Sequence, residues 1–212
     1  WNKTEIKGRN RSPHLRNLRD ILKELPAAKN EIIELSNLFA GTFLTDKKCN
    51  ERFFKENAHK YAVVHLAMHG ILDRQNPILS SLAFTEDSDS LEDNFLQACE
   101  IAHLNMNADL VVLSACETGY GNFEQGEGIL SLARSFMYAG APALVVSLWQ
   151  VNDASTGELM KLFYENLAKG MPKDEALRMA KLKYIADAKN PMAAHPAFWS
   201  PFVLIGDNEP ML

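Results

Sequence analysis

The chain has 212 residues, which at about 150 residues per domain makes one substantial domain or two cramped ones. Apolar residues make up 47% of it, and 22 basic against 27 acidic residues leave a net charge of −5. That composition builds a core, excludes disorder, and gives no electrostatic reason to bind nucleic acid or an anionic membrane. No continuous apolar run of about 20 residues is present, so a membrane-spanning helix is not expected. The three cysteines, Cys49, Cys99 and Cys116, are odd in number and form no C-x-x-C pair. They exclude a disulfide framework or a structural zinc site as the organising principle and make a reducing, cytoplasmic setting the default.

Residues 1–14 are polar and basic (Lys3, Lys7, Arg9, Arg11) with no helical or strand period, and read as a linker or the remnant of an upstream region. The domain is expected over 15–212. Leu15, Leu18, Ile21, Leu22 and Leu25 recur at helical spacing, with Pro26 as the stop. A second amphipathic helix is expected over 27–40, carrying Ile32, Ile33, Leu35, Leu38 and Phe39 and closed by Gly41. A short strand over 41–45 and a helix over 51–60 follow. Residues 61–69 (YAVVHLAMH) are apolar at nearly every position, which suits a strand buried on both faces. A strand over 78–85, an acidic loop over 86–94 and a helix over 95–104 come next. Residues 109–116 (DLVVLSAC) form the most strand-like segment. A Gly-rich bend over 119–128, a helix over 129–139, a strand over 143–151, helices over 156–167 and 173–188, and a last strand over 202–205 complete the chain. Helices alternating with short continuous apolar strands predict a three-layer α/β/α sandwich around a mostly parallel sheet.

Ligands of such sheets gather at the carboxyl ends of the strands. Two reactive residue types stand at such ends, His69 after YAVVHLAM and Cys116 after DLVVLSA, 47 residues apart. A thiol of pKa about 8.5 is mostly protonated at neutral pH and needs a base or positive charge to become a nucleophile. An imidazole on the neighbouring strand end meets that need, and backbone amides just past the strands can hold a developing oxyanion. The alternative is a buried structural cysteine beside a core histidine.

Three other patterns carry less. His65 and His69 are spaced i, i+4 as in zinc helices, but Leu66-Ala67-Met68 between them supplies no glutamate base. In a strand the two lie about 13 Å apart, so no metal is expected and His65 reads as a packed or supporting histidine. The run from Gly121 to Gly126 has the glycine spacing of a phosphate loop but continues with Glu127, which would repel phosphate. Asp87, Asp89, Glu92 and Asp93 resemble part of a calcium loop, broken by Leu91 and the missing glycine.

With these residues in view the sequence resembles the CHAT domain, a branch of the caspase-like cysteine peptidases related to separase. The likeness rests on HLAMHG (65–70), LVVLSACETGYG (110–121), GEGILSLARSFMYAGAP (126–142), SLWQVND (147–153) and HPAFWSPFVLIGD (195–207). The caspase Q-A-C-x-G signature is replaced by Ser114-Ala115-Cys116-Glu117-Thr118-Gly119. The resemblance implies a six-stranded sheet with five parallel strands and one antiparallel edge. Its first strand would sit between the second and third, and is expected upstream of residue 1. It also implies a cysteine endopeptidase acting on a protein or peptide substrate without metal or cofactor, gated by an attached domain such as helical repeats or by a partner. Cys116 would be the nucleophile, His69 the general base, and the N–H groups of Gly70 and Cys116 the oxyanion donors. Separases share a W-x-V-x-D segment and cut after Arg. This makes Asp153 a candidate carboxylate for a basic P1 side chain, its other reading being a helix cap. A catalytically idle interaction module of the same fold, or a thiol hydrolase or acyltransferase acting on a non-peptide acyl group, are the rival functions.

Overall fold

The computed structural model describes residues 22, 25–73, 75–86, 92–114, 127–149, 151 and 153–211. The helix expected over 15–25 and the Gly-rich bend at 119–128 lie largely outside them.

The central sheet has four strands, β1 (Val63–Leu66), β5 (Leu110–Leu113), β6 (Ala143–Ser147) and β7 (Phe202–Gly206), in the order β1-β5-β6-β7. β1, β5 and β6 are parallel, and β7 joins β6 antiparallel at the edge. The described residues thus supply four of the six strands the resemblance implies, including the antiparallel edge. A second, three-stranded antiparallel sheet was not anticipated. It is made of β2 (His69–Ile71), β3 (Ser81–Ala83) and β4 (Phe95–Gln97).

Both faces of the four-stranded sheet are covered, which is why its strands read as unbroken apolar runs rather than alternating ones. Val111, Leu113, Leu144 and Val146 point to one face, and Leu110, Val112, Ala143 and Val145 to the other; all eight are fully buried. The first face carries α2 (Glu51–Asn57), α3 (Ala98–Ile101), α4 (Glu127–Tyr138) and the small sheet. The second carries α1 (Pro26–Leu38), α5 (Asp153–Leu167) and α6 (Lys173–Ala186). This is the expected three-layer α/β/α sandwich.

α4 shows how sequence sets an element here. Ile129, Leu132, Ala133 and Phe136 recur on one stripe and are buried. The helix stops at Gly140, whose φ of 113° only glycine adopts without strain. Gly140 N–H donates to Met137 O and Ala141 N–H to Phe136 O, the paired bonds of a Schellman cap.

Four expectations need correction. Pro26 opens α1 as its first residue, where its missing N–H costs nothing, and the segment it was expected to stop lies largely outside the described residues. α1 ends at Leu38 with Phe39 already extended, so Gly41 is not its cap, and residues 41–45 form no strand. The segment 95–104 is mostly not helical: Phe95–Gln97 pairs with β3, and only Ala98–Ile101 turns into a helix behind a Gln97–Glu100 capping box. The strand expected over 143–151 stops at Ser147, whose Oγ donates to Trp149 O and folds the chain out of the sheet.

Candidate functional site

β1 and β5 run parallel in register from Val63↔Leu110 to Leu66↔Leu113, and β5 and β6 from Val111↔Leu144 to Leu113↔Val146. Their carboxyl ends therefore line one edge of the sheet, the edge where an α/β sheet receives ligands. The single strand expected over 61–69 is in fact two. β1 ends at Leu66, level with the end of β5. The chain then bends at Met68, which is buried in the core, and His69 begins β2 by pairing with Ala83.

His69 is half-buried at the start of β2, and Gly70 beside it is buried opposite Leu82. Cys116 lies outside the described residues. Asp153 is the first residue of α5, six residues past the end of β6, so it stands further from the strand end than SLWQVND suggested. Val151 between them is buried but no longer in the sheet.

His65 meets its expectation as a packed histidine, with partners the sequence did not disclose. Its Nε2 lies 3.0 Å from Glu31 Oε1 on α1 and 3.2 Å from Ser114 Oγ, just past β5. Its Nδ1 lies 2.9 Å from the Tyr164 hydroxyl on α5. Ser114 Oγ also donates to Glu31 Oε2 at 3.5 Å. Burial, and after it the charge of Glu31, push the Tyr164 phenol well above its ordinary range. It therefore stays protonated and can donate to Nδ1, leaving Nε2–H for Ser114 Oγ with the Glu31 carboxylate beside it. Glu31, Ser114 and Tyr164 are buried, and the His65 side chain is only 8% exposed. This is not a serine-hydrolase triad, because serine and carboxylate crowd the same ring nitrogen, whereas a triad puts them on opposite ones. Glu31 was missed because α1 was expected to bury its isoleucines. In the structure the buried stripe runs through Glu31 and Leu35, and Ile33 is 52% exposed.

A cavity of about 350 Å³ lies beside β1 towards α1 and α2, lined by Leu35, Phe39, Phe54, His65, Met68 and Tyr164 among others. It is mostly apolar, and neither His69 nor Gly70 lines it.

On the other face, the Lys55 ammonium sits among Glu51 (2.6 Å), Glu92 (2.7 Å) and Glu100 (3.1 Å). These carboxylates lie close enough together to suggest a metal, but the lysine holds the central position. Burial raises the Glu51 carboxyl to about 7. Burial also opposes the charge on Lys55, but its hydrogen bonds to the three carboxylates outweigh that and hold it well above its ordinary range. Glu92 thus belongs to an ion-pair cluster, and Asp93 Oδ1 accepts from Phe95 N–H; neither serves a calcium loop.

The other two cysteines are both half-buried. Cys49 packs against the core, and desolvation pushes its thiol up. Cys99 Sγ donates to Gln97 Oε1 at 3.4 Å. Among the described residues no helix is long and apolar enough to cross a membrane.

Comparison with known proteins agrees with this architecture. The chain is 30% identical over 129 residues to tetratricopeptide repeat protein 28 of Mus musculus and 31% identical over 122 residues to the Homo sapiens protein of that name. These matches cover 61% and 58% of this chain but only 5% of either relative. The family match is far broader: residues 10–207 fit the CHAT domain from before the first described helix to the end of β7, and the chain belongs to that family.

Proposed function

We propose that the chain is a cysteine endopeptidase module in which Cys116 is the nucleophile and His69 the general base. The observation that carries this is the register Leu66↔Leu113. Each of these paired residues stands three positions before one member of the dyad, and the two strands that lead to them end side by side at the same sheet edge. The His69 imidazole takes the Cys116 proton, and the thiolate attacks the scissile carbonyl carbon. The resulting oxyanion is held by the N–H groups of Gly70 and Cys116. The imidazolium then protonates the leaving amine, and water activated by the same imidazole hydrolyses the thioester. No step needs a metal or cofactor. The substrate is a protein or peptide, and helical repeats attached to the domain gate it. The repeat-protein names of the relatives support such gating, and a cytoplasmic setting suits a thiol nucleophile.

The same relatives favour a second reading, an idle module that keeps the fold and transmits binding, since their names describe repeats and no reaction. A peptide acyloxymethyl ketone separates the two. With the full-length protein, modification of Cys116 that is lost in His69→Ala supports the peptidase. A Cys116 that stays inert alongside an intact fold supports the idle module.

A further inference from the structure

We propose that Glu31 is a positioning residue that, through His65 and Ser114, fixes the point from which the nucleophile segment leaves the sheet; this rests on the role given above to Cys116. Four elements that are distant in sequence meet at this cluster: α1 through Glu31, β1 through His65, the end of β5 through Ser114 and α5 through Tyr164. Its surroundings are apolar, with Leu35, Phe39, Val112 and Phe163 in the same layer. A well-packed apolar cluster would be at least as stable as a buried carboxylate–imidazole pair. Hydrogen bonds add direction, since each fixes a donor and an acceptor at one distance and angle. Here that direction bears on Ser114, the residue immediately after β5 and two before Cys116. Residues Leu110–Leu113 are held by parallel ladders on both sides. Ser114 is the last described anchor before the nucleophile, and its hydroxyl is tied to β1 and α1 together.

His65 and His69 are consequently divided in role. His69 begins β2 at the catalytic edge, whereas His65, four residues earlier, points into the α1–α5 layer and holds the strand ends in place. Glu34 lies on the same helix but pairs with Lys161 at the surface, both side chains being more than two-fifths exposed. It serves as the control.

The test follows Cys116 in the full-length protein by mass spectrometry of its peptide. The rate of alkylation by iodoacetamide is read against pH, together with the rate of acyloxymethyl ketone modification, for wild type, Glu31→Gln, Ser114→Ala and Glu34→Gln. The expected result is an alkylation midpoint below the ordinary thiol value of about 8.5 in wild type and Glu34→Gln. In Glu31→Gln and Ser114→Ala it should move up by about one unit, with a roughly tenfold slower ketone reaction and retained cooperative unfolding. A purely structural cluster would lower the melting temperature without moving the midpoint of the folded protein, and that result overturns the proposal. If Glu31→Gln does not fold, Ser114→Ala, which removes one hydroxyl, decides alone. An ordinary midpoint and no ketone reaction in wild type would overturn the peptidase reading itself, and this inference with it. A low wild-type midpoint unchanged in the folded variants overturns only the positioning role.

Discussion

Leu66 and Leu113 are register partners at the ends of two adjacent parallel strands, both buried on the same face of the sheet. They fix the relative height at which the two strands end, three residues before His69 and Cys116 in the sequence. A nucleophile and base must sit within about 3 Å of one another in the reacting complex. Hydrogen-bonded ladder positions hold that alignment better than loops alone would.

Cys116→Ala and His69→Ala are accordingly expected to abolish cleavage while shifting the melting temperature little. Leu113→Ala should behave in the opposite way. It removes a fully buried side chain and is expected to cost about 2–5 kcal/mol, with any residual folded protein still modified at Cys116. Parallel thermal melts and peptide cleavage assays check both halves. A large loss of stability in Cys116→Ala would identify a packed structural cysteine.

Cys49 and Cys99 are expected to be dispensable for catalysis. Burial raises the Cys49 thiol, which lowers its thiolate fraction at neutral pH. The double replacement Cys49→Ala, Cys99→Ser should leave turnover within about twofold of wild type. Loss of activity with an intact fold would show that one of these thiols takes part in the chemistry.

The Glu51 cluster gives a pH signature. Its folded carboxyl, raised by burial to about 7 from an ordinary 4.5, binds its proton more tightly than in the unfolded chain. Between these two values the native state carries more protons, so this group makes stability fall as pH rises from about 4.5 to 7 and level off above. Glu51→Gln removes the titration. Denaturant midpoints at pH 5, 6 and 7 should therefore show wild type losing ground to Glu51→Gln as pH rises. A difference that stays constant over that window would show that Glu51 is ionised throughout.

The layers and the parallel strands were legible because Leu110–Leu113 and Ala143–Ser147 are buried on both faces and leave an unmistakable apolar run. The break at Ala67–Met68 was hidden because Met68 is itself buried in the core, so apolarity continued after the ladder had ended. The small sheet was missed for a related reason. Three-residue strands such as His69–Ile71 and Ser81–Ala83 are too short to show a period of two. Glu31 was hidden by its type, since a charged residue reads as solvated unless its buried partners are known. The sequence carries His65, Ser114 and Tyr164, but nothing in their spacing brings them together.

Gly140 offers a test of the fold on the far side of α4. A side chain there would meet a backbone φ of 113° and place its Cβ 2.7 Å from the Met106 carbonyl oxygen, which cannot swing aside as a side chain would. The left-handed conformation alone costs a non-glycine residue about 1–2 kcal/mol, and the clash adds to it. Gly140→Ala is expected to lower the melting temperature by several degrees, whereas Gly170→Ala should cost less. Gly170 also has a positive φ, but nothing lies within 4 Å of its Cβ position. Equal effects for the two would show that the close approach to Met106 relaxes freely.

Asp153 can be tested separately for its two roles. It opens α5 beyond the end of β6, where a carboxylate is favoured by the helix dipole and can cap the first amide groups. Both effects would keep an aspartate there with no substrate in mind. The second role is an ion pair with a basic P1 side chain, supported by the resemblance of SLWQVND to the W-x-V-x-D segment of separases. No Arg or Lys stands in residues 143–153 to receive an acidic P1 instead. Asparagine caps helices about as well as aspartate, so Asp153→Asn keeps the capping part of the first role, loses only the small dipole contribution, and removes the charge needed for the second. With a P1-varied peptide library and the activated full-length protein, wild type is expected to prefer Arg or Lys. Asp153→Asn should lose that preference by about tenfold or more in kcat/KM, as expected for one charge-assisted hydrogen bond, with an unchanged melting temperature. If wild type prefers an apolar or acidic P1, or if the variant keeps the basic preference, Asp153 serves the helix alone.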